Sequence, residues 1–274
     1  MVGSCSISAK AVRFVTRGPE PEGGEGLLVH DRFARIPGAD LAALRQAKIV
    51  VVGCGGLGSE CSHGLVRKGV GEIQLLDYDT VELSNLARQR FYLEDVGKNK
   101  ALSLARNLVA EATARTVIVG RAMAFQEVLE AGISMRCTAA IVGVDNNLTR
   151  VHAARHFWSR CVPVVFAAVD HSATRGYVFV QESRPGTPCF LCLFPDAEED
   201  TSTNACAGAS IDILKVVAGI VLYAVDSLVM SRPRSWNYVQ LHLDTGDATH
   251  YQVAQRGDCP VCGGGGAPRK YVAL

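Results

Sequence analysis

Four glycines and an acid form the first group of residues whose types and spacing could do chemistry. The glycines follow an apolar run, residues 49–52, in the order GxGGxG, and the acid ends a second apolar run, residues 73–76. Glycines let the backbone approach phosphates closely, and the start of a following helix offers unpaired N–H groups to an anion. The acid can accept hydrogen bonds from ribose hydroxyls. The pattern predicts a nucleotide site on a strand–turn–helix–strand unit, built from Gly53, Gly55, Gly56, Gly58 and Asp77.

The glycine motif alone does not identify the nucleotide. It is typical of NAD or FAD binding, so a NAD-dependent oxidoreductase is one alternative. Arg88 and Lys100, downstream of Asp77 with Asn85 between, favour ATP instead, because charge builds on phosphate oxygens when pyrophosphate leaves. Asp145 ends a later apolar run. Since ligands bind at the carboxyl ends of strands in an open α/β sheet, we expect Asp145 to hold a magnesium ion.

Two CxxC pairs provide a second candidate site. Cys189 and Cys192 form the first pair, and Cys259 and Cys262 form the second. Two thiolates at this spacing can approach one ion, and two such pairs complete a tetrahedral site with no open position. We therefore predict a structural zinc that fixes the terminal hairpin to the sheet. The alternative is a redox disulfide or four unrelated cysteines.

The composition is that of a globular protein with a large interior. The 274 residues are 48% hydrophobic and 20% charged, with a formal net charge of +1. Long basic or acidic runs are absent from the sequence, so we expect no nucleic-acid or membrane partner. The most apolar segment, residues 211–230, contains Asp212, Lys215 and Asp226, which favours a buried helix. Residues 1–15 lack the apolar core of a signal peptide, and scattered thiols suit a reducing compartment, so we expect a cytoplasmic location.

Alternating apolar runs and helical patterns predict the elements that position these residues. This alternation is typical of an α/β fold with a mostly parallel sheet, here a Rossmann-like ATP-binding domain. The predicted strands are 11–16, 49–52, 73–76, 116–119, 139–144 and 162–169. The predicted helices are 40–45 (with Asp40 as N-cap), 59–66, 100–109, 129–136, 148–160 and 211–230.

The last third of the sequence predicts antiparallel strands that extend the sheet. Residues 176–181 directly follow a predicted strand, and residues 237–243 and 249–254 flank a Gly-bearing turn. We expect residues 31–274 to form a single domain with a zinc-stapled C-terminal part. Residues 1–30 are an N-terminal extension, flexible in part because residues 18–26 read GPEPEGGEG.

Several motifs together resemble one known family. GCGGLGSE, LLDYDTVELSNLARQ, VGKNKA, VGVDNN and the two CxxC pairs occur in order between about Asp31 and Cys262. They closely resemble the ThiF/MoeB/HesA-type adenylyltransferases, which include the molybdopterin- and thiamin-biosynthesis adenylyltransferases and the ubiquitin-activating (E1-like) enzymes. The resemblance implies ATP-dependent adenylation of the C-terminal glycine carboxylate of a ubiquitin-like or sulfur-carrier protein. Family members that adenylate a peptide or a tRNA base are an alternative, as are the inactive scaffold halves of heterodimeric relatives.

The resemblance implies a role for each motif residue. The glycines and Asp77 would bind ATP, with Asp79 nearby. Arg88 and Lys100 would hold the phosphates and Asn85 would help to order them, while Asp145 would ligate magnesium. Catalysis would come mainly from positioning and charge neutralisation. The implied cofactors are ATP, magnesium and zinc.

The resemblance also implies that an arginine in the segment DRFARI contributes to the ATP site of a second protomer. Arg35 matches an arginine that reaches the ATP site of the partner in a homodimer. The family form is nearer RYSRQ, and Ile36 stands where glutamine is usual, so Arg32 is the alternative.

Cys206 is a further catalytic candidate that the resemblance suggests. It would lie in a crossover loop, about residues 195–210, before the helix that starts at Ile211. A thiol near a helix N-terminus has a lowered pKa, which favours the thiolate. Cys206 could then form a thioester or persulfide in a second half-reaction, with a conjugating enzyme or sulfurtransferase as a further partner. The alternative is a dispensable loop thiol.

His171 and Arg175 occupy a loop between two predicted strands. They could line the channel for an incoming protein tail, or they could be solvated loop residues. We therefore do not predict a catalytic role for either.

Overall fold

The computed structural model describes residues 2–18, 29–199, 209–263 and 272–273. The strands within these ranges form one mixed sheet of eleven members. They are β1 (Val2–Ile7), β2 (Ala11–Thr16), β3 (Lys48–Val52), β4 (Glu72–Leu76), β5 (Val117–Arg121), β6 (Ala139–Val142), β7 (Val164–Val169), β8 (Arg175–Gln181), β9 (Tyr238–His242), β10 (Asp247–Gln252) and β11 (Val272–Ala273). Their order across the sheet is β1-β2-β5-β4-β3-β6-β7-β8-β9-β10-β11.

The centre of the sheet is parallel and its two flanks are antiparallel. Strands β5, β4, β3, β6 and β7 pair in parallel. The chain moves from β3 to β4 and β5 on one side, then returns to β6 and β7 on the other. The carboxyl ends of β3 and β6 therefore form a topological switch point, where open α/β sheets bind ligands. The predicted parallel sheet with antiparallel extensions is confirmed.

Helices cover both faces of the sheet. They are α1 (Asp31–Ala34), α2 (Leu41–Gln46), α3 (Gly56–Lys68), α4 (Lys100–Glu111), α5 (Phe125–Glu130), α6 (Asn147–Trp158), α7 (Phe190–Leu193) and α8 (Ile211–Val229). Side chains alternate across a strand, so β3 contributes to two cores. Ile49 and Val51 belong to the core that includes α3, α4 and α8, whereas Val50 and Val52 belong to the core that includes α5, α6 and α7.

The glycine turn between β3 and α3 requires residues without a side chain. Gly53 has φ +88°, in the left-handed region that favours glycine. A Cβ on Gly58 would lie 1.8 Å from the Gly53 carbonyl oxygen, so any side chain there would force the helix away from the strand. The first turn of α3 is thereby held against the end of β3.

The N-terminal extension and the last third of the chain both add antiparallel strands. Strand β2 pairs with β5, and β1 pairs with β2 at one edge of the sheet. The strand predicted at residues 11–16 is confirmed, and β1 was not predicted. Residues 19–28, which include most of the predicted linker, lie outside the described residues.

Several predicted boundaries are wrong. Helix α3 starts at Gly56 rather than at residue 59, because the glycines themselves belong to its first turn. The helix predicted at residues 129–136 is α5, which starts four residues earlier because the Glu127 carboxylate accepts a hydrogen bond from the Ala124 N–H at 2.7 Å. It ends before Gly132, which has φ +63°. The second strand of the terminal hairpin starts at Asp247 rather than residue 249, because Gly246 (φ +75°) closes the turn directly before it.

Among the helices of the described residues, none has both the length and the apolar character that crossing a membrane requires.

Candidate nucleotide site and cysteine cluster

A cavity of about 510 Å³ lies at the carboxyl ends of the parallel strands. Nearly all of the predicted nucleotide-site residues line it. They are Gly53, Gly55, Gly56, Asp77, Asp79, Asn85, Arg88, Lys100 and Asp145. Gly58 does not line the cavity, but its lack of a side chain allows α3 to approach Gly53 closely. The fold therefore brings residues from four separate segments of the chain to one site.

Asp77 follows β4 and is fixed by backbone donors. Its Oδ2 accepts a hydrogen bond from the Cys54 N–H at 2.6 Å, and its Oδ1 accepts one from the Asp79 N–H at 2.8 Å. Burial raises the pKa of Asp77, and the two backbone hydrogen bonds act in the opposite direction. The carboxylate thus ties the glycine turn to the end of β4, next to the position where a ribose would lie.

Lys100 is held at the cavity by an acid. Its Nζ lies 2.9 Å from Oδ2 of Asp79, and only 12% of the Lys100 side chain is exposed. Desolvation lowers the pKa of Lys100, but the Asp79 hydrogen bond and the charge of Asp77 outweigh it, so the pKa is raised overall. Asn99, the N-cap of α4, donates to the carbonyl oxygens of Asp77 and Asp79 and fixes the lysine relative to them. Lys100 is therefore a charged, preorganised cation.

Arg88 and Asn85 lie on one short segment after β4. Asn85 is buried, and its Oδ1 accepts a hydrogen bond from the Glu82 N–H at 3.0 Å. The Arg88 Nη1 donates to the Ser84 carbonyl oxygen at 2.6 Å. The side chain of Arg88 is thus bonded within its own segment, and its position relative to the glycine turn depends on how that segment is held.

Asp145 lies exposed at the cavity, between β6 and α6. The loop that contains it is clamped by Arg150, which donates to the Val144 carbonyl oxygen at 2.6 Å and to Asn147 Oδ1 at 2.7 Å. Asn146 caps α6 by accepting from the Thr149 N–H at 2.9 Å. An accessible carboxylate on a fixed loop fits Mg²⁺, which takes oxygen ligands and usually keeps several waters.

Other residues that line the cavity were not predicted. Met123, Phe125 and Gln126, which follow β5, are among them, and Gln126 donates to Thr149 Oγ1 at 3.0 Å. Their position after a parallel strand is the signal that could have identified them. Gln89, beside Arg88, also lines the cavity and was not predicted.

The two CxxC pairs form one compact cluster. The Sγ atoms of Cys189, Cys192, Cys259 and Cys262 all lie within 4.8 Å of one another, and all four residues are buried. Hydrogen bonds from Cys189 and Cys262 lower the pKa of Cys192, and contacts with Cys192 and Cys262 raise the pKa of Cys189. Four thiolates so close together require a cation, and this donor set fits tetrahedral zinc. The described cysteines form no disulfides.

Arg35 and Arg175 lie outside the lining of the cavity. Arg35 pairs with Asp31 at 2.6 Å, with 73% of its side chain exposed. Cys206 and most of its loop lie outside the described residues. Arg175 is an exposed residue at the start of β8, whereas His171 is exposed and lines the cavity.

Named relatives match most of this chain. The "Adenylyltransferase and sulfurtransferase MOCS3" of Danio rerio is 32% identical over 237 residues, which cover 81% of this chain and 49% of that protein. The chain thus spans about half the length of this relative. The "SAMP-activating enzyme E1" of Haloferax volcanii is 32% identical over 233 residues, which cover 81% of this chain and 83% of that protein.

A solved structure shows the same fold. The crystal structure of Escherichia coli MccB with ATP matches with a TM-score of 0.67 at 21% identity, over 81% of this chain and 68% of that one. The model of the family described as "ThiF family" matches residues 30–261. This range contains the residues that line the cavity and three of the four cluster cysteines, and it ends one residue before Cys262. The resemblance of the motifs is thereby confirmed, and the chain belongs to the ThiF family.

Proposed function

We propose that this chain is an ATP-dependent adenylyltransferase that activates the C-terminal glycine carboxylate of a ubiquitin-like or sulfur-carrier protein. The observation that carries the proposal is the set of side chains that line the cavity. Asp77, Arg88, Lys100 and Asp145 all line it, at the switch point of the sheet. Two cations beside a nucleotide acid suit a reaction that cleaves a phosphoanhydride. The names of the relatives from Danio rerio and Haloferax volcanii describe activities of this kind.

The proposed reaction is a substitution at the α-phosphorus of ATP. A carboxylate oxygen of the carrier tail forms a bond to this phosphorus, and the bond between phosphorus and the oxygen that bridges to the β-phosphate breaks. Pyrophosphate leaves with the electron pair, and an acyl-adenylate remains. The step needs no external oxidant, reductant or proton donor.

The residues of the chain would position ATP and neutralise charge. Asp77 would accept hydrogen bonds from the ribose, and the N–H groups after the glycine turn would face the phosphates. Lys100 and Arg88 would hold the phosphate oxygens on which charge increases as pyrophosphate leaves. The small side chains at the end of β7, Ala167 and Ala168, also line the cavity and leave room for a glycine tail.

Two metals complete the proposal. Asp145 would ligate magnesium, which supplies charge neutralisation at the phosphates when it is bound. The four cysteines would hold zinc as a structural ion, because a closed four-sulfur site has no open position for a substrate. Zinc would fix α7 to the residues that follow β10.

We further propose a homodimer in which Arg35 completes the ATP site of the partner. The exposure of Arg35, and its separation from the cavity of its own chain, support a role in trans. Residues 31–274 would form one adenylyltransferase domain.

The fate of the adenylate depends on a sulfur nucleophile. Cys206 could attack the acyl-adenylate to give a thioester and AMP, or a conjugating enzyme or sulfurtransferase could supply the thiol. Intact adenylation and transfer in Cys206→Ala would end the proposal for this cysteine. We expect these reactions in the cytoplasm, where buried free thiols such as Cys54 and Cys61 stay reduced.

ATP–pyrophosphate exchange tests the proposed function. The wild-type chain should exchange labelled pyrophosphate into ATP when a carrier protein with a free glycine C-terminus is present, and the same carrier with an amidated C-terminus should support no exchange. NAD binding without exchange would favour an oxidoreductase. Exchange driven by a short peptide or a tRNA, but by no carrier protein, would favour a different substrate class.

A further inference from the structure

An ion pair between a buried carboxylate and a partly exposed guanidinium connects the helix after the glycine turn to the segment that contains Arg88. The guanidinium of Arg90 donates to Glu60 through two parallel hydrogen bonds, from Nε to Oε1 at 2.9 Å and from Nη2 to Oε2 at 3.1 Å. Only 9% of the Glu60 side chain is exposed. This bidentate geometry fixes direction as well as distance, and an unpaired carboxylate in such a buried position would be costly.

Residue 90 is also held through its backbone. Its N–H donates to Ser59 Oγ at 3.2 Å, and its carbonyl oxygen accepts from Asn107 Nδ2 at 3.4 Å. Ser59 and Glu60 lie in the first two turns of α3, directly after the glycines, and Asn107 lies on α4, the helix that starts with Lys100. Arg90 therefore contacts α3 and α4, two of the helices whose N-terminal residues line the cavity.

Arg88 lies two residues before this anchor. Its own side chain is bonded to Ser84, within the same segment, so it does not fix the segment to the glycine turn. Gln89, between the two arginines, lines the cavity beside Gly55. On the N-terminal side of Arg88, the Val81 N–H donates to the Lys98 carbonyl oxygen at 2.8 Å and holds the segment to the loop before α4. On the C-terminal side, the contacts of residue 90 and the buried ring of Phe91 hold the segment to the helix that follows the glycine turn.

We infer that Arg90 is a positioning residue, which acts with Glu60 to hold Arg88 and Gln89 at the phosphate end of the cavity. The inference rests on the proposed function only in assigning Arg88 to the phosphates of ATP. Misplacement of a catalytic cation by about 1 Å can lower a rate about 100-fold, so the pair would affect turnover without contacting ATP.

A double-mutant cycle with Arg88 tests this inference. In the wild-type background, Arg90→Ala should lower the exchange rate about 10- to 100-fold and weaken ATP binding about tenfold. In an Arg88→Ala background, the same change should alter both quantities by less than about threefold, because the residue it positions is already absent. The KM for the carrier protein should stay within about twofold. Equal losses in both backgrounds would overturn the inference.

Conservative variants separate positioning from folding. Arg90→Lys keeps the charge but loses the bidentate fork, so it should give an intermediate loss. If Arg90→Ala does not fold, Arg90→Lys and Glu60→Gln take its place in the cycle. Arg67→Ala is the matched control, since Arg67 lies on α3, the helix that contains Glu60, and pairs with Glu111 at 3.6 Å. It should leave exchange and ATP binding within about twofold.

The ATP-binding cycle also separates this inference from the proposed function. If the wild-type chain binds ATP but shows no exchange, the assigned reaction is wrong, while the ATP affinities still test the role of Arg90. If exchange occurs and both cycles are additive, the reaction stands and Arg90 has no positioning role.

Discussion

The ammonium nitrogen of Lys100 lies 2.9 Å from a carboxylate oxygen of Asp79, at the mouth of the nucleotide cavity. This pair joins the segment after β4 to the start of α4. It keeps the lysine charged and oriented, since the contact with Asp79 raises the pKa of Lys100 against the effect of burial. Under the proposed function, the phosphate oxygens of ATP would share or replace the carboxylate as the partner of this ammonium.

Replacing Asp79 should change the pH dependence of the reaction. Without the Asp79 carboxylate, the pKa of Lys100 falls, because the effect of burial is then opposed mainly by the charge of Asp77. The basic limb of the pH profile of kcat/KM for ATP should therefore move to lower pH in Asp79→Asn. Lys100→Ala should lose about 100-fold or more in exchange rate at every pH.

Glu94→Gln provides the control for that profile. It also removes one negative charge from an exposed residue, but Glu94 is outside the lining of the cavity. A basic limb that moves equally in both variants, or in neither, would contradict the role of the Asp79–Lys100 pair.

Mixing two inactive variants should restore activity if Arg35 acts in trans. Arg35→Ala lacks the residue for the partner site, and Asp145→Asn lacks the magnesium ligand of its own site. In a mixture of equal amounts, half of the dimers are mixed and each has one complete site, so exchange should recover to about a quarter of wild type. Failure to recover, when mass spectrometry shows that mixed dimers form, would contradict the role in trans.

Removing one cysteine of the cluster should release the metal and lower stability. The free energy of metal binding contributes directly to folding, so Cys192→Ser should lose bound zinc and unfold at a lower temperature. Elemental analysis and a thermal melt would measure both effects. Cys161→Ser, at an exposed thiol, is the matched control. Unchanged metal content in Cys192→Ser would contradict the site.

His156 should make the fold sensitive to acid. Its ring packs edge-on against Phe125 and Phe157, with ring centroids 5.6 Å and 5.0 Å away, and burial lowers its pKa to about 4. Between about pH 6.5 and 4 the unfolded chain binds the proton more readily than the folded chain, so stability falls as pH falls. Because the ring is only half-buried, solvent screening limits the loss to about 1–2 kcal/mol.

Denaturant unfolding at several pH values would measure this effect. His30 and His63 also have lowered pKa values from burial, so the test compares slopes rather than single stabilities. His156→Asn should reduce the loss of stability between about pH 6.5 and 4, whereas His171→Asn, in an exposed loop, should not. Equal pH dependence in wild type and His156→Asn would rule out this contribution.

The parallel core could be predicted because its signals are local. Residues 49–52 and 73–76 are continuous apolar runs, and the glycines directly follow the first of them. Asp77 ends the second of these runs, and Asp145 ends the later run at residues 139–144. Both could be predicted as site residues because ligands bind at the carboxyl edge of such a sheet. The cysteine cluster was predictable from spacing alone.

Contacts between distant segments were not predictable. Glu60 and Arg90 are thirty residues apart, and their pairing depends on how the loop after β4 returns to α3. Strand β1 was missed because the residues between Val2 and Ile7 are small and mostly polar, and those whose burial the structure describes are exposed, so no alternation marks them. The start of α5 depends on the reciprocal cap of Glu127, a contact that competes with the apolar pattern further along the chain.

The chemical form of the carrier after the reaction distinguishes adenylation from any other use of ATP. The chain would be incubated with ATP, magnesium, pyrophosphatase and a carrier protein that ends in glycine, and the carrier would be analysed by intact and fragment mass spectrometry. We expect one AMP on the carrier, at the C-terminal glycine, and none when that carboxylate is amidated or when Lys100 is replaced by alanine. A carrier that gains phosphate instead, with ADP as the product, would contradict attack at the α-phosphorus, as would an unmodified carrier under conditions in which ATP binds.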